Sequence, residues 1–356
     1  VFIYNGSKDV HLHQIRAFNS RSRAPSLLAR QSENVAFTEC EVSDTQMVIF
    51  EENAWQVYGS GITASSCRGV FIEDCSVVEN RDMVAEWVAA GGTSSQKYNW
   101  YQAGAIQVSG SSHVVVRNNT VRTTGNGIDM GGAAPALVEG NDVDNCHETG
   151  IKCVNGANNQ IVRNNRVTRC GIVAIWITPG NTNFAIRNCS IENNVIGQIG
   201  QGIGGNGYWN KWFKQTVPAG IHFHTALTTS QRSRDHVATG NRFYETSAMR
   251  SPGVMIQTGD RGAFNITQSD NSVFNDAVTP PLAAPPSSTG YQLPVRVPVN
   301  TATFSDSFSG PAGDPGPDYE VRNGSAFTVA SGAIENTGSG LNVAVVPSVT
   351  LPDAEG

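Results

Sequence analysis

Short runs of alternating apolar and polar residues recur from the first residues to about residue 276, with no sustained helical period among them. VVVRNNTV (114–121), ALVEGNDV (136–143), IVRNNRV (161–167) and AIRNCSI (185–191) share an apolar pair, an Asn or Cys, one further residue and an apolar residue. Earlier copies are VHLHQIRA (10–17), VAFTECEV (35–42) and VFIEDCSV (70–77); later ones are VATGNRF (237–243) and ITQSDNSV (266–273). The Asn/Cys column reads Ile15, Cys40, Cys75, Asn119, Asn141, Asn165, Cys189, Asn241, Asn271. Its shortest steps are 22 to 25 residues, and the longer ones carry insertions.

A second short strand follows each copy: AIQV (105–108), GIDM (127–130), GIKC (150–153), AIWI (174–177), GIHF (220–223) and GVMI (253–256). Alternation turns Ile106, Ile128, Ile151, Ile175, Ile221 and Val254 inward, with Val108, Met130, Cys153, Ile177, Phe223 and Ile256 beside them. A third strand precedes the next copy. Three short strands per ~23 residues, repeated about nine times, predict an all-β fold, a right-handed parallel β-helix over residues 1–276. Its rungs would stack about 4.8 Å apart, with an Asn ladder at one turn. A leucine-rich horseshoe has a similar period but needs repeated Leu, which this chain lacks.

Residues 277–300 carry six prolines and predict a semi-rigid linker. Residues 301–356 resemble the opening strands of a concanavalin-like β-sandwich, an incomplete one at this length. The chain starts inside one strand and stops inside another strand-rich segment, so both ends read as cut and the first rung as open.

Composition narrows the function. Lys and Arg total 24 against 30 Asp and Glu, for a net charge of -6, without the basic stripe of a nucleic-acid binder. No run approaches the ~18 apolar residues of a membrane span. The 37 Gly and 31 Asn suit many turns. Seven cysteines cannot all pair within the chain, and none has zinc-site spacing. They read as stacked core residues, although rung spacing permits a Cys146–Cys170 disulfide.

The outward column of the second strand carries the candidate chemistry: Gln107, Asp129, Lys152, Trp176, His222 and Met255, with His224 and Gln257 one period further on. Asp129 and Lys152 would sit one rung apart, and His147 and Glu148 at the corner before Lys152. Insertions 78–104 and 192–219 leave from that same corner. The first holds Trp87, Tyr98, Trp100 and Tyr101; the second holds Tyr208, Trp209, Trp212 and Phe213. Two aromatic walls around a polar column suit sugar rings, whose C–H faces stack on aromatics. Substrate-binding candidates are therefore Trp176, Gln107, His224, Trp100, Tyr101, Tyr208, Trp209 and Trp212. Catalytic candidates are Lys152, Asp129, His222 and Glu148. The outward column of the first strand (Arg117, Glu139, Arg163, Arg187) reads as a solvated charge ladder.

With these ladders in place, residues 1–276 resemble the pectate-lyase-like superfamily of right-handed β-helices, which includes polysaccharide lyases, uronate epimerases, glycoside hydrolases and phage tailspikes. The resemblance implies a carbohydrate-active protein outside the cell or on a virion surface, a homotrimer if it is a tailspike. The signatures of polygalacturonases, alginate epimerases and the pectate-lyase calcium site are absent; Gly150-Ile151-Lys152 only echoes one of them. A lyase or epimerase, the first expectation, would use Lys152 as base, with His222 in reserve, and a neutralising group such as calcium at the substrate carboxylate. A hydrolase would use Asp129 and Glu148. An adhesin would bind glycan without cutting it.

Overall fold

The structure, a computed structural model, describes residues 1–4, 6–93, 101–180, 184–200, 219–224, 233–244, 256–257 and 264–274, and the backbone of 327–330 and 333–336. Three parallel sheets run the length of a solenoid. The first contains Phe2–Tyr4, Leu27–Arg30, Ile62–Ser65, Gly104–Ser109, Asn126–Gly131, Thr149–Val154, Val173–Thr178, Ala219–Phe223 and Ile256–Gln257. The second runs from Lys8–His13 to Phe264–Ser269 and the third from Arg16–Phe18 to Ser272–Phe274. Each turn of the chain visits the three sheets in order, giving nine rungs as the repeat predicts. Ile106, Ile128, Ile151, Ile175 and Ile221 are direct register partners and fully buried.

The turn from the second to the third sheet explains the Asn column. At Asp74, Asn118, Gly140 and Asn164 the backbone takes positive φ, which Asn, Asp and Gly tolerate best. At Gly140 a Cβ would also lie 2.7 Å from Asn118 Oδ1. The next residue turns its amide inward. Asn119 Nδ2 donates to Asn141 Oδ1 at 2.9 Å, Asn141 to Asn165 at 2.9 Å, Asn165 to Asn194 at 3.0 Å, Asn194 to Asn241 at 3.0 Å and Asn241 to Asn271 at 2.9 Å. Cys40 and Cys75 occupy the column in earlier rungs, and Asn119 Oδ1 accepts from the Cys75 amide.

The expected column is corrected at one rung: Asn194, not Cys189, fills it. The second-sheet strand there is Ser190–Glu192, so the true copy is SIENNVI and the sequence motif was set five residues early. Cys189 instead donates its backbone N–H to His236 Nδ1. The same shift puts Glu192, not Arg187, beside Arg163 in the outer charge ladder. That ladder is buried over much of its length: Glu73 pairs with Arg117 and Glu139 with Arg163, each at 2.7 Å, and Glu73, Glu139 and Arg163 are all below 9% exposed, while Arg117 stays 37% exposed.

All seven cysteines are buried free thiols, so Cys146 and Cys170 stack without a disulfide. Met47–Glu51 and Ala54–Tyr58 form an antiparallel hairpin that enlarges one rung, a feature absent from the sequence reading. The proline-rich stretch lies outside the described residues. Of 301–356, strands Phe327–Ala330 and Ala333–Asn336 pair antiparallel, and the second joins Arg16–Phe18 in the third sheet. The first rung is therefore not open along that sheet. No described helix is long and apolar enough to cross a membrane.

Candidate functional site

A groove of about 520 Å³ lies on the outer face of the first sheet. Its lining joins two outward columns. One carries Thr63, Gln107, Asp129, Lys152 and Trp176 on five successive rungs. The other carries Ser65, Ser109, Gly131, Val154 and Thr178, with His224 at the next rung. Parallel pairing at one fixed register aligns these residues, because alternation sends both columns to the same side of the sheet. The second column was missed by sequence reasoning, apart from His224. The same period would have exposed it, but its small residues carry no chemical signal.

Lys152 Nζ lies 3.7 Å from Asp129 Oδ2 and 5.6 Å from the centre of the Trp176 ring. The side chains of Lys152 and Asp129 are 11% and 18% exposed, so this pair is better shielded from water than a surface ion pair. Gln107 is oriented by Ser60, which donates to its Oε1 at 2.8 Å. His224 Nδ1 is 3.1 Å from Thr178 Oγ1. Trp176 packs in a small cluster with Ile172, Val173 and Ala219 and is 8% exposed.

Glu148 lies at the corner before Thr149–Val154. It is 2% exposed, and burial pushes its carboxyl up to about 8, against the opposing pull of Lys152 and of a hydrogen bond from Gln102. Its Oε1 has no hydrogen-bond partner. Gln102 lines the groove, so it connects this buried acid to the open site. Glu148 lies at the corner before Lys152 as its sequence position implies, but it does not line the groove, and nothing in the sequence marked its burial.

Several expected residues fall elsewhere. His222 does stand in the Trp176 column but is fully buried, and burial moves its imidazole down to about 3. It does not line the groove and is not a base that works without a pKa shift. His147 is also buried and depressed to about 3, packed on Tyr101 with ring centres 5.1 Å apart. Gln257, not Met255, continues the column after His222, a two-residue correction of register. Tyr101 is fully buried in a satellite core with Val57, Met83, Trp87 and Ala103. The described part of the 78–104 insertion thus packs on the hairpin through helix Met83–Ala89, with Trp87 and Tyr101 buried in that satellite core. Trp100, Tyr208, Trp209 and Trp212 lie outside the described residues.

The placement of Tyr101 makes an expectation. Its hydroxyl donates to Gln46 Oε1 at 2.6 Å. Tyr101→Phe leaves that acceptor buried and unpaired, and should cost about 1–2 kcal/mol in urea denaturation. Glycan affinity should not change, since the ring is away from the groove; a loss of affinity would restore Tyr101 to the site.

The buried titrating groups also set a pH profile of stability. His147 and His222 near 3, and His236 near 4, lie below the ordinary imidazole value of 6.5. The unfolded chain binds their protons first, so their contribution is complete above pH 6.5 and is lost as pH falls toward 3–4. Glu148 runs the other way: its contribution is complete below 4.5 and is lost as pH rises to about 8. Buried Glu79 is raised too and acts in the same sense as Glu148. Three histidines outweigh two carboxyls below 6.5. Above it the buried Val1 amine, moved down from 8.0 to about 5, opposes the carboxyls until pH 8. Stability should therefore rise from pH 4 to about 6.5 and change little from there to pH 8, and melting curves across pH 4–9 test this; a fall between pH 4 and 6.5 would contradict it.

Among the described residues no group of three or more His, Cys, Asp or Glu is placed to hold a metal ion. Ser233 Oγ and His236 Nε2 lie 2.6 Å apart, but His236 Nδ1 accepts the Cys189 amide, so Nε2 carries the proton and cannot activate the hydroxyl.

Residues 90–226, which hold most of the groove, match the family model of the right handed beta helix region. A search of curated proteins gave no match. Among solved structures, the chain is similar to an exopolygalacturonase from Thermotoga maritima at 11% identity and a TM-score of 0.49, covering 76% of this chain and 53% of that one. It is also similar to the Streptococcus pneumoniae surface protein and adhesin PfbA at 10% identity and a TM-score of 0.47, covering 78% and 87%. A mutant tailspike protein of E. coli bacteriophage HK620 in complex with pentasaccharide matches at 10% identity and a TM-score of 0.44, covering 77% and 49%. The chain spans about half the length of the exopolygalacturonase. The common ground is the right-handed β-helix.

Proposed function

We propose that the chain binds a polysaccharide along the groove and hydrolyses a glycosidic bond there, with Glu148 as general acid and Asp129 as its partner carboxylate. The observation that carries this reading is the contrast between two neighbouring carboxyls. Glu148 is buried and raised to about 8, so it holds a proton at neutral pH; Asp129 faces the groove beside the Lys152 ammonium. Carboxyls set apart by their surroundings are what acid and base roles at one bond require. Glu148 would protonate the leaving oxygen. Asp129 would act at the anomeric carbon, directly or through a water. Lys152 would then orient Asp129 rather than abstract a proton.

The polysaccharide lyase or uronate epimerase reading keeps one support: Lys152 is central in the groove. It is the second choice because Lys152 is engaged by Asp129 and Trp176, and because His222 is buried and strongly depressed. A site outside the cell or on a virion surface suits either reading, as does a non-enzymatic adhesin that uses the same groove.

The test is incubation with a panel of neutral and uronate polysaccharides, following reducing ends and ultraviolet absorbance together. Reducing ends without absorbance are expected. Absorbance from a new carbon–carbon double bond would move the chemistry to Lys152. Binding without either product, and with no epimerised residues by NMR, would make the protein an adhesin.

A further inference from the structure

The outer face of the second sheet is apolar and covered. Ala36, Phe71, Val115, Leu137 and Ile161 are direct register partners on five successive rungs. They alternate with Phe37, Ile72, Val116 and Val138 of the main core, so they point away from it. Ala36, Phe71, Val115 and Leu137 are nevertheless buried, the last two fully. Ala36, Phe71 and Val115 form a cluster of their own, which contains no described residue from outside the sheet. Beside them Arg163, also buried, has an Nη2 without a hydrogen-bond partner. The third sheet is different: its outward Arg122, Asp142 and Arg166 are paired with one another and partly exposed.

The path of the chain points to the cover. Phe274 ends the last strand of the third sheet, and Ala333–Asn336 joins the same sheet beside its first strand, Arg16–Phe18. Nine strand intervals separate the two, roughly 43 Å. Residues 275–326 therefore have to return along the whole solenoid. The proline-rich 277–300 is long enough alone, since polyproline geometry at about 3.1 Å per residue spans roughly 74 Å. Its Leu282, Tyr291, Leu293, Val295 and Val297 suit an apolar face, and Arg296 is its only charge. Its prolines bring no N–H to be stranded against apolar side chains, and its carbonyls can accept from Arg163. The other segments between described strands do not fit. Segments 94–100, 201–218 and 245–255 leave from the corner between the third and first sheets, opposite the second. Segments 181–183, 225–232 and 258–263 belong to the seventh, eighth and ninth rungs. At about 3.5 Å per residue none of these can loop out and back to Ala36 or Phe71.

We infer that the outer face of the second sheet is the docking surface for residues 275–326 of the same chain, which cross it as an extended strap from the last rung to the first. The proline-rich stretch then ties the two ends of the solenoid together, instead of spacing a separate domain away from it. The groove lies on a different sheet, and the strap leaves it open.

The test is photo-crosslinking in the full chain, with p-benzoylphenylalanine in place of Ile161, which is only partly buried at the margin of the covered stretch. Cross-linked peptides are then identified by mass spectrometry. Cross-links to residues 275–326 are expected. Cross-links to 337–356 or to a second copy of the chain, or none in a folded protein, would each overturn the inference. Trypsin gives an independent reading. Arg296 lies in the docked stretch, so cleavage after it has to wait for local opening. It should be at least about tenfold slower in the unsubstituted protein than in Val115→Asp, which puts a charge on the apolar face. Equal rates in the two folded proteins overturn the inference. Should Val115→Asp fail to fold, the unsubstituted protein still decides: cleavage after Arg296 as fast as in a free 277–300 peptide overturns it as well.

Discussion

Glu148→Gln is expected to reduce glycosidic cleavage by roughly 10²–10⁴-fold, the usual loss on removing a general acid. The substitution keeps the shape and the hydrogen bond with Gln102, but the amide has no acidic proton to deliver. Activity of the unsubstituted protein should fall as pH rises through about 8, because Glu148 loses its proton there. The variant should lose that limb of the pH profile together with its rate. A structural role would look different. If Glu148 mattered only to the fold, Glu148→Gln would change stability and leave the rate per folded molecule intact. The stability profile should lose the part that Glu148 contributes, which falls between pH 4.5 and 8, since the amide does not titrate. Asp129→Asn should cost a comparable factor, without abolishing the limb near pH 8. Equal rates in Glu148→Gln and the unsubstituted protein would remove Glu148 from the chemistry.

The rung-to-rung order of the groove was legible because β-alternation is rigid: once Ile128, Ile151 and Ile175 were known to face inward, Asp129, Lys152 and Trp176 had to face outward. The reading failed where the repeat changed length. AIRNCSI mimics the motif, and Asn188 takes positive φ just as Asn193 does five residues later; only the pairing of Asn194 with Asn165 and Asn241 selects the true turn. The other failures concern burial. A period says which face a side chain takes, not whether another segment covers that face. His222 and Glu148 were placed in the right neighbourhood as solvated groups, yet both are buried and their proton affinities move in opposite directions. Tyr101 and Trp87 looked like groove walls because aromatics in an insertion serve equally as binding surface or as satellite core. The hairpin Met47–Tyr58, which receives them, carried no repeat signal.

Asn165→Ala, in the middle of the ladder, should cost about 3–6 kcal/mol. Asn165 Oδ1 accepts from both the backbone and the side chain of Asn141 at 2.9 Å, and its Nδ2 donates to Val138 O and Asn194 Oδ1 at 3.0 Å. Alanine leaves these groups short of partners in a region with no water contact, at roughly 1–3 kcal/mol for each group left wholly unsatisfied. Networks of this kind also lose more than the sum of their pairs. Asn165→Cys should cost less, because Cys75 fills the same column and its thiol still reaches the carbonyl oxygens of Phe37 and Glu73. At Asn271, in the last described rung, the side chain is only partly buried and bonds to Asn241 and Ala238. Asn271→Ala should therefore cost about 1 kcal/mol, since water can replace part of what is lost. Denaturation of the three variants separates burial from hydrogen-bond count. Equal losses at Asn165 and Asn271 would mean that the amide ladder stabilises the solenoid without regard to its dryness, contrary to the account given for the turn.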